Sequence, residues 1–199
     1  MRVDRFKRVI LITGTPGVGK TAVSRMLADR LNATYLSLAE LVEKEKLVSG
    51  VDKARGTLIA DMDKVSRRVQ KLIADSERDV IVEGHYAVNV VPAKDVHLVF
   101  VLRRKPEELK KLMEERGYKE SKLWENLAAE ILDVCLTDAV STCGHDKVCE
   151  IDASGKKIED VVEEILSVMK NKRKCFVGII DWLGKLDREG RLQEFLKPF

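Results

Sequence analysis

The hydrophobic positions change period several times along the chain. Residues 8–13, Arg-Val-Ile-Leu-Ile-Thr, form a short β-branched run that stops at Gly14 and reads as a buried parallel strand. Beyond Lys20 the spacing becomes helical, with Val23, Met26, Leu27 and Leu31 on one face and Arg25, Asp29 and Arg30 between them. Asn32 ends that helix, and Thr34-Tyr35-Leu36 reads as a second strand. Ser37 followed by Glu40 matches the capping-box start of another helix. Residues 47–57 hold no period and predict an irregular loop, followed by a long amphipathic helix from Leu58 to about Ser76. Residues 79–82 and 96–102 are apolar runs of strand length. A helix is expected over 107–115, a break at Arg116-Gly117-Tyr118, and one further helix from Lys122 to about Ala139. Residues 148–151 give a last strand and 158–169 a last core helix.

Five short strands alternating with helices imply an α/β fold, a mainly parallel sheet between helix layers. Residues 1–170 hold that pattern, and 171–199 differ. A basic stretch, Lys170 to Lys174, precedes an apolar set of Val177, Ile180, Trp182, Leu183, Leu186, Leu192, Phe195 and Leu196. The tail reads as a helical extension packed back on the core, with a partner-binding arm as the alternative.

Composition narrows the classes. The 199 residues carry 36 Lys+Arg against 33 Asp+Glu, a net +3, so any nucleic-acid surface must be local. An apolar fraction of 45% with both charge signs interspersed excludes a disordered chain. No apolar run reaches membrane-spanning length, and the first residues lack the pattern of a secretory leader, so a cytoplasmic, membrane-free protein is expected. Cys135, Cys143, Cys149 and Cys175 are few and irregularly spaced, which predicts free thiols.

Gly14-Thr15-Pro16-Gly17-Val18-Gly19-Lys20-Thr21 fits G-x-x-x-x-G-K-[ST], between a strand and a helix. Glycines let backbone N–H groups converge on phosphate oxygens, and the helix N-terminus adds its dipole. Gly17, Val18, Gly19, Lys20, Thr21 and Ala22 are therefore expected to hold a nucleoside triphosphate, ATP. Lys20 faces the β/γ-phosphates, and the Thr21 hydroxyl is a Mg²⁺ ligand.

A second acidic position follows. Glu83 closes the strand Val80-Ile81-Val82 and is the candidate to organise Mg²⁺ or orient the attacking group. A solvated strand-end carboxylate is the plainer reading. His85, two residues on, falls on the same side of an extended chain, and function and structure are evenly matched there. His97 lies within the predicted 96–102 strand and reads as a core imidazole. Cys143-Gly144-His145-Asp146-Lys147-Val148-Cys149 has poor spacing for zinc and reads as loop chemistry.

Taken together, ITGTPGVGKT at 12–21, SLAEL at 37–41, LVSGVD at 47–52 with Asp61 and Asp63 beyond, IVEGH at 81–85, FVLR at 100–103 and RGYKESKLWENLAAEI at 116–131 resemble a nucleoside monophosphate kinase. The branch is that of adenylate kinase isoenzyme 6, the coilin-interacting nuclear ATPase, with its archaeal relatives. The likeness covers about residues 8–169, and the segment after FVLR makes it specific. It implies a P-loop NTPase fold, an AMP-binding segment at about 37–60, a short lid at about 115–125, and AMP as acceptor. It also implies that Arg116 reaches the triphosphate on lid closure and that Lys156 touches the adenine. By pattern alone these are a helix-end arginine and a turn lysine.

The family pairs adenylate kinase with ATPase activity and assists small ribosomal subunit maturation, so a ribosomal protein and pre-rRNA are implied partners. A monomer is expected. Two departures are visible. Glu83-Gly84-His85-Tyr86-Ala87 stands where ordinary adenylate kinases have Asp-Gly-Phe/Tyr-Pro-Arg, and Val42 and Glu43 replace the arginine of the AMP segment, leaving Lys53 or Arg55 to substitute. An ATPase assembly factor with little AMP kinase activity, or a kinase for another nucleoside monophosphate or small metabolite, are the alternatives.

Overall fold

The computed structural model describes residues 7–52 and 57–196; Lys53 and Arg55 lie outside the described residues. In chain order the first elements are β1 (Val9–Thr13), α1 (Lys20–Leu31), β2 (Thr34–Ser37), α2 (Leu38–Glu45), β3 (Val48–Asp52), β4 (Thr57–Ala60), α3 (Met62–Asp75), β5 (Val80–Glu83) and α4 (Ala87–Val90). They continue with β6 (Leu98–Arg103), α5 (Pro106–Glu115), α6 (Glu120–Ile131), α7 (Val134–Cys143), β7 (Val148–Asp152), α8 (Ile158–Met169), α9 (Trp182–Arg188) and α10 (Leu192–Phe195). Five strands pair in the order β2-β5-β1-β6-β7, all parallel. Every strand therefore ends on the same sheet edge, the edge where open α/β folds bind ligands.

The core follows from the strand composition. All five residues of β1 and all four of β5 are buried, as strands covered on both faces must be. One hydrophobic cluster forms around Ile10, Ile12, Phe100 and Leu102 against α1, α5, α6 and α8, and another around Leu11, Val82, Val99 and Val101 against α3, α4 and α7. Local signals set several boundaries. Asn32 adopts φ 50° at the end of α1, and the Ser37 hydroxyl accepts the Glu40 N–H to start α2.

Four expectations change. Residues 48–52 and 57–60 pair as the antiparallel strands β3 and β4 where an irregular loop is expected, and α3 begins at Met62, because the Asp61 carboxylate caps it by accepting the Lys64 N–H. The long helix from Lys122 is two helices, broken where Asp133 takes φ 57°. His97 is exposed just before β6. Its N–H donates to the Val9 carbonyl, which fixes the backbone and leaves the imidazole outside the core. Finally, Cys149 and Cys175 form a disulfide that ties β7 to the segment after α8, while Cys135 and Cys143 are free.

The C-terminal segment packs on the first cluster through Ile180, Trp182, Leu186 and Phe195. The Phe176 carbonyl accepts the Glu150 N–H at 2.9 Å, so the segment also runs along β7. Among the described residues no helix is long and apolar enough to cross a membrane, and no cluster of His, Cys, Asp and Glu could hold a metal by itself.

Candidate nucleotide site

The phosphate loop joins β1 to α1, and its backbone explains its glycines. Gly14, Gly17 and Gly19 have φ of 133°, 95° and 107°, a region that side chains rarely tolerate. A Cβ at Gly14 would sit 2.4 Å from the Leu102 carbonyl oxygen, and one at Gly17 would sit 3.0 Å from Leu109 Cδ1. The loop is thus pressed onto β6 and α5, and the Val18 N–H closes a turn on the Thr15 carbonyl at 3.4 Å. Val18 is fully buried and pins the loop from below. Gly19 precedes the first turn of α1, where Thr21 and Ala22 are exposed toward solvent.

Lys20 is buried, and its Nζ donates to the Gly14 carbonyl at 2.8 Å and the Thr15 carbonyl at 3.0 Å. Burial lowers its pKa, and the charges of Glu83, Cys135 and Glu130 work against that shift. The ammonium is therefore held over the loop by two backbone carbonyls.

Glu83 stands beside it at the end of β5. Register places Ser37 of β2 and Ile12 of β1 on either side of it. Its Oε1 accepts hydrogen bonds from Thr21 Oγ1 at 3.1 Å, Ser37 Oγ at 3.0 Å and Tyr35 OH at 3.4 Å. The carboxylate is nearly buried, which excludes the solvated strand-end reading. Thr21 and Glu83 together form a pair of hard oxygen donors, which suits Mg²⁺. Sequence reasoning missed Tyr35 and Ser37, because only the β2–β5 register brings them to Glu83.

Gly84 has a packing reason. A Cβ there would lie 2.8 Å from Leu38 Cδ1 and 3.1 Å from Leu38 Cβ, and Leu38 is fully buried. A Gly84→Ala variant is expected to lose about 1–3 kcal/mol to overpacking, read as a shifted denaturation midpoint at unchanged m-value.

His85 lies in the turn after β5, where its carbonyl accepts from Thr13 Oγ1 at 3.2 Å and its ring meets Tyr86 edge-on at 4.7 Å. One side of the imidazole is open to solvent. Lost hydration on its other sides, then the charges of Lys20 and Lys122, lower its pKa from 6.5 to about 4. Those two charges put the ring within electrostatic reach of the phosphate loop and of α6. It is neutral at physiological pH and able to accept a proton.

The remaining residues from the sequence are less assembled. Arg116 caps α5 and is exposed, with no side-chain hydrogen bond or ion pair among the described residues. It stands one turn beyond Met113, whose methyl lies 3.2 Å from where a Gly17 Cβ would be. Gly117 follows with φ 69° and leads through a short break to α6. The segment at about 115–125 is therefore a helix end, this break and the first turns of α6. Lys156 is held by Glu164 at 2.7 Å, so its ammonium is turned toward α8. Arg104, which the sequence marks only as part of the basic run Arg103-Arg104-Lys105, lies along the loop: its Nε donates to the Val18 carbonyl at 3.3 Å and its Nη1 to Glu108 at 3.0 Å. Glu108 in turn accepts the Gly155 N–H at 3.0 Å, tying the 153–156 loop to the phosphate loop.

A glycine-lined loop feeding a helix at the carboxyl edge of a 2-5-1-6-7 parallel sheet defines a P-loop NTPase of the kinase type. Solved structures share this architecture. A gluconokinase from Sinorhizobium meliloti superposes with a TM-score of 0.55 at 16% identity, over 84% of this chain and 94% of its own. A shikimate kinase from Bacteroides thetaiotaomicron gives 0.54 at 17%, over 82% and 98%. Residues 10–133 match a family model described as AAA domain. Two archaeal relatives, each named "Putative adenylate kinase", are similar over nearly their whole length. The one from Methanocaldococcus jannaschii is 38% identical across 88% of this chain and 93% of the relative. The one from Thermococcus onnurineus is 38% identical across 90% and 94%. The chain belongs with them to the P-loop nucleoside monophosphate kinase family, and it is a phosphotransferase.

Proposed function

We propose that the protein is an adenylate kinase, catalysing ATP + AMP = 2 ADP with Mg²⁺, and that it also hydrolyses ATP. The near full-length similarity to relatives carrying the adenylate kinase name carries the first part. Lys20 leaves the Gly14 and Thr15 carbonyls for the β/γ-phosphates. Thr21 and Glu83 hold the metal side, where Mg²⁺ supplies counter-charge to the triphosphate. Gly17, Val18, Gly19 and Ala22 cradle phosphates through their backbone. Arg116, exposed at the end of α5, closes on the transferred charge. Lys156 contacts the base after exchanging its Glu164 partner. Residues 37–60 receive AMP, and the segment at about 115–125 closes as the lid, excluding water.

The test is an acceptor screen: purified protein with Mg-ATP and AMP, CMP, UMP, GMP or no acceptor, following ADP. AMP is expected to stimulate ADP formation most. Greater stimulation by another acceptor would refute the adenylate kinase reading.

Hydrolysis rests on His85, a neutral imidazole with an open face near Lys20. Its pH profile has a definite sign. Above about pH 5 the ring is neutral and hydrolysis is expected to be flat. The rate falls with a midpoint of about 4, not 6.5, as the ring protonates. The same shift destabilises the fold as pH drops from 6.5 toward 4, because the unfolded chain binds that proton first. A midpoint near 6.5 in the rate would remove His85 from this role.

A second reading is favoured by Glu83-Gly84-His85-Tyr86-Ala87, which offers no arginine to an acceptor. In it the protein is an ATPase of the isoenzyme 6 kind that assists small ribosomal subunit maturation, with a ribosomal protein and pre-rRNA as partners. AMP-indifferent turnover together with a stable complex in a pull-down would support it.

A further inference from the structure

Behind the phosphate loop lies a buried ionic cluster that the proposed chemistry does not use. Arg103, at the end of β6, donates from Nε to Glu130 Oε1 at 2.9 Å and from Nη1 to Glu150 Oε1 at 2.6 Å. Its Nη2 donates to the Glu130 carbonyl at 2.9 Å and to Asp133. The Arg103, Glu130 and Glu150 side chains are at most 2% exposed. Replacing such a buried ionic cluster by apolar side chains of the same volume is often neutral or stabilising, so its presence is weak evidence of a purely stabilising role.

The two oxygens of Glu130 face different parts of the molecule. Oε2 accepts the Thr15 hydroxyl at 2.6 Å, and Thr15 is the second residue of the phosphate loop, whose carbonyl receives Lys20. Oε1 accepts from Arg103, from the Arg104 N–H at 3.0 Å and from Trp182 Nε1 at 3.3 Å. Trp182 belongs to the C-terminal segment. That segment reaches the cluster a second time, where the Ile179 N–H donates to Glu150 Oε2 at 2.8 Å. One carboxylate thus receives donors from the phosphate loop, from β6 and from a helix more than fifty residues away in sequence.

We propose that Glu130 is a positioning residue for the phosphate loop and that the C-terminal segment completes that anchorage through Trp182. The tail is then part of the nucleotide site, although it touches no phosphate. The inference rests on triphosphate binding at the loop and not on the identity of the acceptor.

The chain has two tryptophans, so a Trp124→Phe background leaves the Trp182 indole as the sole reporter. In that background Trp182 emission is expected to shift on saturation with Mg-ATP, and to stay unshifted at saturation when Thr15→Val is added. Calorimetric Kd values for Mg-ATP supply the second readout. Thr15→Val and Trp182→Phe are each expected to weaken binding about threefold to fivefold, and together no more than either alone, the non-additivity of sites sharing one partner. Thr15→Ser, which keeps the hydroxyl, is expected to restore both readouts. Thr15→Val preserves shape and Trp182→Phe keeps an aromatic ring in the core while removing the indole N–H, so the cycle does not depend on a Glu130 variant folding. Emission blind to Mg-ATP, or Kd effects that multiply, would overturn the proposal. Neither measurement involves an acceptor, so an enzyme that ignores AMP would leave this test intact.

Discussion

A Lys20→Ala enzyme is expected to lose about a thousandfold or more in kcat/KM while keeping its fold. The geometry gives the reason for both halves. The ammonium is buried, and in the resting loop it bonds only carbonyl oxygens, those of Gly14 and Thr15. Burial lowers its pKa, so the site is costly for a charge unless an anion arrives. On the proposed function, substrate phosphates supply that anion and Lys20 meets the charge that develops in transfer at close range. Removing the cation relieves a desolvated group in the free enzyme and removes stabilisation from the bound triphosphate and, to a greater extent, from the transition state. Steady-state kinetics should therefore collapse while the thermal midpoint moves little. Lys20→Arg is expected to rescue poorly, because a planar fork does not replace a point charge in a tight loop. An alanine variant within tenfold of the parent would sink this role for Lys20.

The largest effect on stability is expected from Arg103→Met. The methionine fills the volume but leaves Glu130 and Glu150 buried without their cation. Burial already raises the pKa of Glu150, with Arg103 among the groups opposing that rise. Breaking a buried ionic cluster on one side costs about 3–5 kcal/mol. For a chain of this size that is a fall of about 10 °C or more in Tm. Urea unfolding with an unchanged m-value would measure it. A loss below about 1 kcal/mol would mean that water or protonation compensates the carboxylates.

Individual residues show how much the sequence disclosed. The loop from Gly14 to Thr21 was legible because every requirement is local: a strand that ends, glycines that accept positive φ, a lysine and a hydroxyl at the start of a helix. The Ser37 cap and the Asn32 terminus were legible for the same reason. The β3–β4 hairpin was not. Its strands are short, β3 alternates between half-buried and exposed positions, and only pairing across the hairpin makes them strands. The break between α6 and α7 was hidden too. Asp133 takes its left-handed conformation where its carboxylate meets Arg103, thirty positions earlier. The Cys149–Cys175 link depends on the C-terminal segment returning to β7, which no spacing rule announces.

The sequence by itself determined the phosphate-loop motif, the α/β alternation, and the candidacy of Glu83 and His85, because these follow from short-range geometry and periodicity, whereas Arg116 became a candidate only through the family resemblance. Tertiary structure alone decided what each of them faces. Sheet register gathered the hydroxyls of Thr21, Ser37 and Tyr35 on one oxygen of Glu83. The surroundings of the turn after β5 kept His85 neutral. The fold of the tail brought Trp182 to Glu130, and so to the loop itself. Hydrogen bonds and desolvation act over a few ångströms in space, whatever the separation along the chain, and no local pattern records them.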